Sequence, residues 1–277
     1  MLELHKALYD IFEGSRRAHG VFNVNLHTTG LKQQGVAKTI KTAGPTRENW
    51  REHLEGKSGL GIIPINEENQ VRWGAIDIDT YSLDIPELVK KIDSYKLPLV
   101  VCRSKSGGAH VFCFVDDFIP AGDMQDKLRE LAAGLGYGGV EIFPKQREVL
   151  VDRGDIGSWL NMPYFEGEDS VRYGHNPNGV ALTPEEFVVF VRSQTITHDQ
   201  LLEALSADFI YETFKHWRSF AGLGKKGLFD SSVLENALIE LFDLTTFEEA
   251  FKKTGRHITV TVSPADLHQH SRLLNAK

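Results

Sequence analysis

Asp77 and Asp79 alternate with Ile76 and Ile78 in the run Gly74-Ala75-Ile76-Asp77-Ile78-Asp79-Thr80. In an extended strand successive side chains face opposite ways, so the isoleucines share one side and the carboxylates the other, with their Cα atoms about 7 Å apart. Two anions on one face repel each other. A divalent cation between them removes the repulsion, and Mg²⁺ in particular takes one or two carboxylates together with phosphate oxygens. The dyad alone is equally compatible with aspartates that cap the turn after a strand, so its neighbours decide the reading.

Residues 97–115 hold two apolar, β-rich runs joined by Arg103-Ser104-Lys105-Ser106-Gly107-Gly108, the pattern of a hairpin. The turn combines two hydroxyls, two cations and two glycines whose amides can approach a ligand without an intervening Cβ, which suits an anion such as a triphosphate. His110 opens the second strand. Alone it reads as a hydrogen-bonded structural residue; beside a cationic Ser/Gly turn it reads as a ligand contact. Further on, Glu141 stands among apolar residues in Gly139-Val140-Glu141-Ile142-Phe143-Pro144-Lys145-Gln146. Alternation places it on the side of Phe143, where a lone carboxylate is costly unless paired or bound to metal. The segment from Gly157 to Phe165 is aromatic and apolar but for the amide of Asn161. It serves equally as a wall for a base or sugar and as ordinary packing.

Taken in order, these blocks resemble the archaeo-eukaryotic primase superfamily, most of all its prokaryotic and mobile-element primase-polymerases, the CRISPR-associated ones included. The family's acid-x-acid motif corresponds to Asp77 and Asp79, its Ser-containing turn followed by His to Ser104 through His110, and its third acid to Glu141. The runs Phe143 to Gln146, Gly157 to Pro163 and His53 to Pro64 are also similar to segments of those relatives. Many members carry Asp where this chain has Glu141, and the longer arm leaves open which metal it binds. The resemblance implies DNA-directed nucleotidyl transfer by a pair of Mg²⁺ or Mn²⁺ ions about 3.5–4 Å apart, carried by Asp77, Asp79 and Glu141. It further implies that Arg103, Ser104, Lys105, Ser106, Gly108, His110 and Asn161 hold an NTP or dNTP, the histidine as donor to a phosphate oxygen. A DNA template and primer form the other substrate. The implied fold is α+β: a mixed-sheet core that joins an α/β unit to an RRM-like unit, followed by a C-terminal helical region. Helicase, reverse-transcriptase, integrase or CRISPR adaptation partners fit such a chain.

A net charge of -7 over 277 residues does not suit a polyanion ligand as a whole, but association depends on local patches rather than on the total. Arg16-Arg17, Lys38 with Lys41, Arg47 with Arg51, and Lys225-Lys226 are candidate contacts, each also readable as a solvated face. Lys145, Arg147 and Arg153 are preferred for nucleic acid because they flank the third acid. Cys102 and Cys113 lack metal-finger spacing and fall in the expected hairpin strands, so they read as reduced core residues in a cytoplasmic protein. The start Met1-Leu2-Glu3-Leu4-His5 lacks the charged-then-apolar build of a signal peptide, and no apolar run approaches a membrane span.

Apolar spacing predicts a helix over 2–17, with Leu4, Leu8, Ile11 and Phe12 on one side, and a strand over 21–26. Further helices are expected through Leu54, after Ser82 and over 122–135. The alternation of strand, helix and hairpin predicts a catalytic core over 1–182 with the acids on one sheet face. From Thr183-Pro184-Glu185-Glu186, a capping box with proline at the first helical position, a mostly helical accessory region is expected over 183–277, broken by the linker Gly222 to Gly227. Two other readings stay open. A metal-dependent glycosyltransferase also uses an acid-x-acid dyad, although it gives no reason for the Ser-Lys-Ser-Gly-Gly-Ala-His turn or for Glu141. A non-catalytic nucleic-acid-binding module of a replication or defence assembly would tolerate loss of the acids, and all three are present.

Overall fold

The protein's structure, a computed structural model, describes residues 3–24, 35–80 and 83–204. Along the chain these form α1 (Leu4–Ile11), β1 (His19–Val24), β2 (Gly35–Ile40), α2 (Arg47–Leu54), β3 (Gly59–Ile62), β4 (Gln70–Ile78), α3 (Ile85–Ser94), β5 (Val100–Arg103), β6 (Ala109–Pro120), α4 (Ala121–Gly134), β7 (Glu141–Phe143), β8 (Leu160–Asn161), α5 (Pro184–Gln194) and α6 (His198–Glu203). Side-chain oxygens of Thr46, Asp84, Thr183 and Thr197 accept from backbone amides in the first turns of α2, α3, α5 and α6. Each cap satisfies a donor that the helix cannot pair internally.

The strands make two four-stranded antiparallel sheets, ordered β2-β1-β3-β8 and β5-β6-β4-β7. The second is built from the consecutive elements β4-α3-β5-β6-α4-β7, a β-α-β-β-α-β unit of the ferredoxin-like type. The RRM-like half that the sequence led us to expect is this unit, and the architecture is α+β.

Register assigns the faces of this sheet. Trp73, Ala75 and Asp77 pair with Phe114, Phe112 and His110, while Gly74 and Ile76 pair with Cys113 and Val111. A Cβ on Gly74 would strike Leu128 and Met124 of α4, so the second set faces the helix layer. The first set faces inward. Trp73, Ala75, Phe112, Phe114, Val100 and Cys102 join Leu60 and Ile62 of β3, Phe12 beside α1, Trp50 of α2 and Phe187 of α5 in one buried cluster. At its centre the ring of Phe12 meets those of Trp50, Trp73, Phe112 and Phe114 at 5.3–5.6 Å. The contact with Trp50 is stacked and the other three are edge-to-face, and both geometries add to the area they bury. Both cysteines are buried free thiols, and burial pushes the Cys113 thiol up to about 12.

Helix α5 contributes Phe187, Val188 and Val191 to this cluster, so the first helix after residue 182 packs on the same core. The part of the expected helical region that follows residue 204, with the linker Gly222 to Gly227, lies outside the described residues. Among the described residues, no helix is long and apolar enough to cross a membrane.

Candidate active site

Three chemically distinct side chains occupy one row of the second sheet. On β4, Asp77 is the register partner of His110 on β6 and of Glu141 on β7, so all three leave the sheet on the same side. Residues 77, 110 and 141 are far apart along the chain, and antiparallel pairing sets them side by side. Asp79 follows one residue past the end of β4 and is exposed. Ile76 and Ile78 are fully buried on the opposite face. The expected two-sided strand is therefore present through Ile78.

The row lies where the apolar cluster ends and solvent begins. Asp77 is mostly buried, and its Oδ1 has no hydrogen-bond partner. Burial, then the neighbouring charges of Asp79 and Glu141, push its carboxyl up to about 7, against the opposing pull of Lys145. An ionised group with one orphaned oxygen and two like charges beside it is the situation that a divalent cation relieves. Three hard carboxylate donors suit Mg²⁺ or Mn²⁺. The residues present thus fit such ions. Glu141, however, is exposed and gives Oε2 to Lys145 Nζ at 2.7 Å. With Glu141 turned this way, no three acidic, imidazole or thiol side chains among the described residues are gathered closely enough to enclose one ion.

His110 is buried, and its Nε2 stands 3.5 Å from Asp77 Oδ1. Burial, with the positive charges of Arg172 and Lys105, pushes its pKa down to about 3 against a bond to the backbone carbonyl of Asn161. The imidazole is neutral at pH 7, so its contact with Asp77 is not an ion pair. That agrees with the charges acting on Asp77, among which His110 does not figure.

The hairpin turn closes on the dyad. Gly108 stands where a Cβ would lie 2.1 Å from Ile78 O and 3.4 Å from the Cα of Asp79, so only glycine lets the turn come this close. Gly107 takes a φ of +92°. Ser104 is buried with its Oγ unpartnered, and its amide donates to Gly108 O at 2.9 Å. Arg103 is held by Val171 O at 3.0 Å, Lys105 Nζ sits 3.8 Å from the centre of the Phe22 ring, and Ser106 is half-buried at the tip. Asn161, on β8 of the other sheet, reaches the row through the carbonyl that receives His110, and its own Oδ1 is buried without a partner.

The three preferred basic residues separate. Lys145 stays with Glu141, and Gln125 of α4 fixes that backbone by donating to the carbonyls of Pro144 and Lys145 at 2.9 Å each. Arg147 pairs instead with Asp126 of α4, and Arg153 ends an exposed 3₁₀ turn, Val151–Arg153.

Two further residues were given no role of their own by the sequence reading. Arg172 is a buried guanidinium 5.1 Å from the centre of the Phe165 ring and 6.0 Å from that of Phe22, close enough to help keep His110 neutral. No periodicity or motif marks it. His53 donates Nε2–H to Pro163 O and accepts from Leu60 N at Nδ1, so it fastens β3 to the chain after β8 and is structural.

A family model described as the Archaeo-Eukaryotic Primase domain of the TOTE conflict system matches residues 31–170, half of the chain and all of the acids, turn and amide above. The chain belongs to this primase family. A primase-type, nucleotidyl-transfer function in the broad sense comes with that membership. Over 47 residues the chain is 47% identical to triacylglycerol lipase 4 of Saccharomyces cerevisiae, which covers 17% of this chain and 5% of that protein's length. A solved structure described as the crystal structure of primase RepB' is 12% identical, covering 92% of this chain and 75% of its own at a TM-score of 0.34.

Proposed function

We propose that the domain is a DNA-directed primase-polymerase, adding nucleotides from nucleoside triphosphates to a 3′-hydroxyl with loss of pyrophosphate. The observation that carries this is the row Asp77, His110, Glu141, assembled by strand register beside Asp79 and a glycine-bearing cationic turn. Asp77, Asp79 and Glu141 would hold two divalent ions, Mg²⁺ or Mn²⁺. When bound, such ions activate the attacking oxygen and offset the charge of the leaving group. The chain's own contribution is positioning and charge. Ser104, Ser106, Lys105 and the amides of the turn would receive a polyphosphate, and Arg103 anchors the turn to Val171.

His110 has a narrower task. A neutral ring whose N–H points to Asn161 offers a lone pair at its other nitrogen. Donation to a phosphate oxygen therefore calls for the imidazolium, which the negative charge of an incoming triphosphate favours. Glu141 turning from Lys145 to a metal would free an ammonium for a nucleic-acid strand. Lys145 is our preferred strand contact; Arg147, already paired with Asp126, and Arg153 are secondary ones.

The test is a single gel: single-stranded template, labelled NTPs or dNTPs and Mn²⁺ or Mg²⁺, with and without primer. Extension that disappears in Asp77→Ala while the fold persists supports the reading. Extension persisting in a folded Asp77→Ala/Asp79→Ala protein removes it. The first lane set also separates priming from primer extension.

A further inference from the structure

Trp159 is half-buried, unlike Trp50 and Trp73, which are fully enclosed in the core. Its indole lies on the first sheet where side chains are missing. A Cβ on Gly20 would stand 2.2 Å from Cδ2 and 2.6 Å from both Cε2 and Cε3, and a Cβ on Gly61 would stand 2.2 Å from Cε3 and 2.8 Å from Cδ2. Near-equal approach to several atoms about the ring fusion describes a ring met face-on. Gly20 and Gly61 are register partners on β1 and β3, so the indole is seated on both strands from one side. Its Nε1 donates to Thr39 Oγ1 at 3.1 Å, and Thr39 is the partner of Gly20 on β2. The ring thus spans three strands with its edge pinned, one face against backbone and the other turned away from the sheet.

The position of this ring ties it to the catalytic row. Asn161 is the register partner of Gly61, so its amide, with Oδ1 buried and unpartnered, emerges on the indole's side of the sheet. Phe22 leaves β1 on that side too, two residues from Gly20, and carries Lys105 Nζ over its ring. One sheet face therefore presents a flat aromatic surface, an amide and a cation of the hairpin turn, and the backbone carbonyl of that same Asn161 receives His110. A base, a sugar edge and a polyphosphate call for those three chemistries.

We propose that the outer face of Trp159 is a stacking platform for a nucleobase, either of the incoming nucleoside triphosphate or of the bound strand, with the Asn161 amide serving the edge of that base or its sugar. The inference rests on the primase-polymerase reading and names a residue that reading does not use. Stacking of this kind tolerates any base, because each has a π face.

Indole fluorescence and direct binding test the proposal together. In the wild type with Mn²⁺, dNTP quenches emission and inorganic tripolyphosphate binds without quenching; Trp159→Phe removes the quench. Trp159→Ala weakens dNTP binding on the order of tenfold and leaves tripolyphosphate affinity unchanged. A thymidine oligomer against an abasic oligomer of equal length, measured with the same variants, assigns the base to the strand if the effect lies there. Should Trp159→Ala fail to fold, the quench in wild type and its loss in Trp159→Phe carry the test. Equal weakening of dNTP and tripolyphosphate, with no preference for the base-bearing oligomer, overturns the platform and leaves the primase reading standing. If the wild type binds neither triphosphates nor single strands, both fall.

Discussion

The two sheets of this domain divide the chemistry between them. The sheet β5-β6-β4-β7 supplies polar chemistry: Asp77, His110 and Glu141 in one row, beside the apolar side chains that it gives to the core. The sheet β2-β1-β3-β8 supplies shape, because Gly20 and Gly61 leave out the side chains whose place Trp159 takes. On the proposed reading the first sheet works through residues that are present and the second through side chains that are missing. A substitution that removes a carboxylate and one that adds a methyl group should therefore damage the protein in different ways.

The largest effect is expected from the acids. Asp77→Ala or Asp79→Ala should reduce primer extension to background with a native-like circular dichroism spectrum. Asp77→Asn should separate catalysis from stability. The folded carboxyl is raised to about 7 by burial and by Asp79 and Glu141, so the native state keeps a proton that the unfolded state releases above about pH 4. Stability from this group is then present at low pH and is lost as pH rises from about 4 to 7. In EDTA at pH 8, Asp77→Asn should be more stable than wild type by on the order of 2 kcal/mol, several degrees in Tm. An unchanged or lower Tm would contradict the electrostatic account of the site.

Next in size is the shape side of the comparison. Gly61→Val puts carbon within 3 Å of the indole and must displace it, with an expected loss of about 1–3 kcal/mol in urea unfolding together with lost extension. Retained stability would mean that the indole does not lie on Gly61 in solution. The smallest effect is expected from the basic residues. Lys145→Gln should lower single-strand affinity and reduce the salt slope by about one. Arg147→Ala, which leaves Asp126 of α4 still paired with Arg129, should change binding little. A salt slope that falls in Arg147→Ala and not in Lys145→Gln would reverse the assignment.

The same division decided what could be read from the sequence. Alternation in β4, the continuous apolar runs of β5 and β6, which are buried on both faces over most of their length, and the isolated Glu141 marked this sheet. Register then did what spacing alone could not, putting residues 77, 110 and 141 side by side. The other sheet gave almost no signal beyond β1. Strand β2 has side chains exposed over most of its length, β3 is Gly-Leu-Gly-Ile with two glycines in four residues, and β8 has two residues. Propensity and periodicity have nothing to work on there. Arg172 was missed because a buried guanidinium held among aromatic rings leaves no local pattern. The basic cluster around Lys145 was legible as composition, yet its members part, since Asp126 of α4 takes Arg147 and Glu141 takes Lys145.

The central claim is that Asp77, Asp79 and Glu141 converge on divalent ions. Anomalous diffraction from crystals grown with Mn²⁺ and a non-hydrolysable nucleoside triphosphate tests it most directly. The account predicts two manganese peaks about 3.5–4 Å apart among the three carboxylates, with Glu141 released from Lys145. Absence of manganese at the dyad under those conditions, or an ion bound there while Glu141 keeps its bond to Lys145, would contradict it.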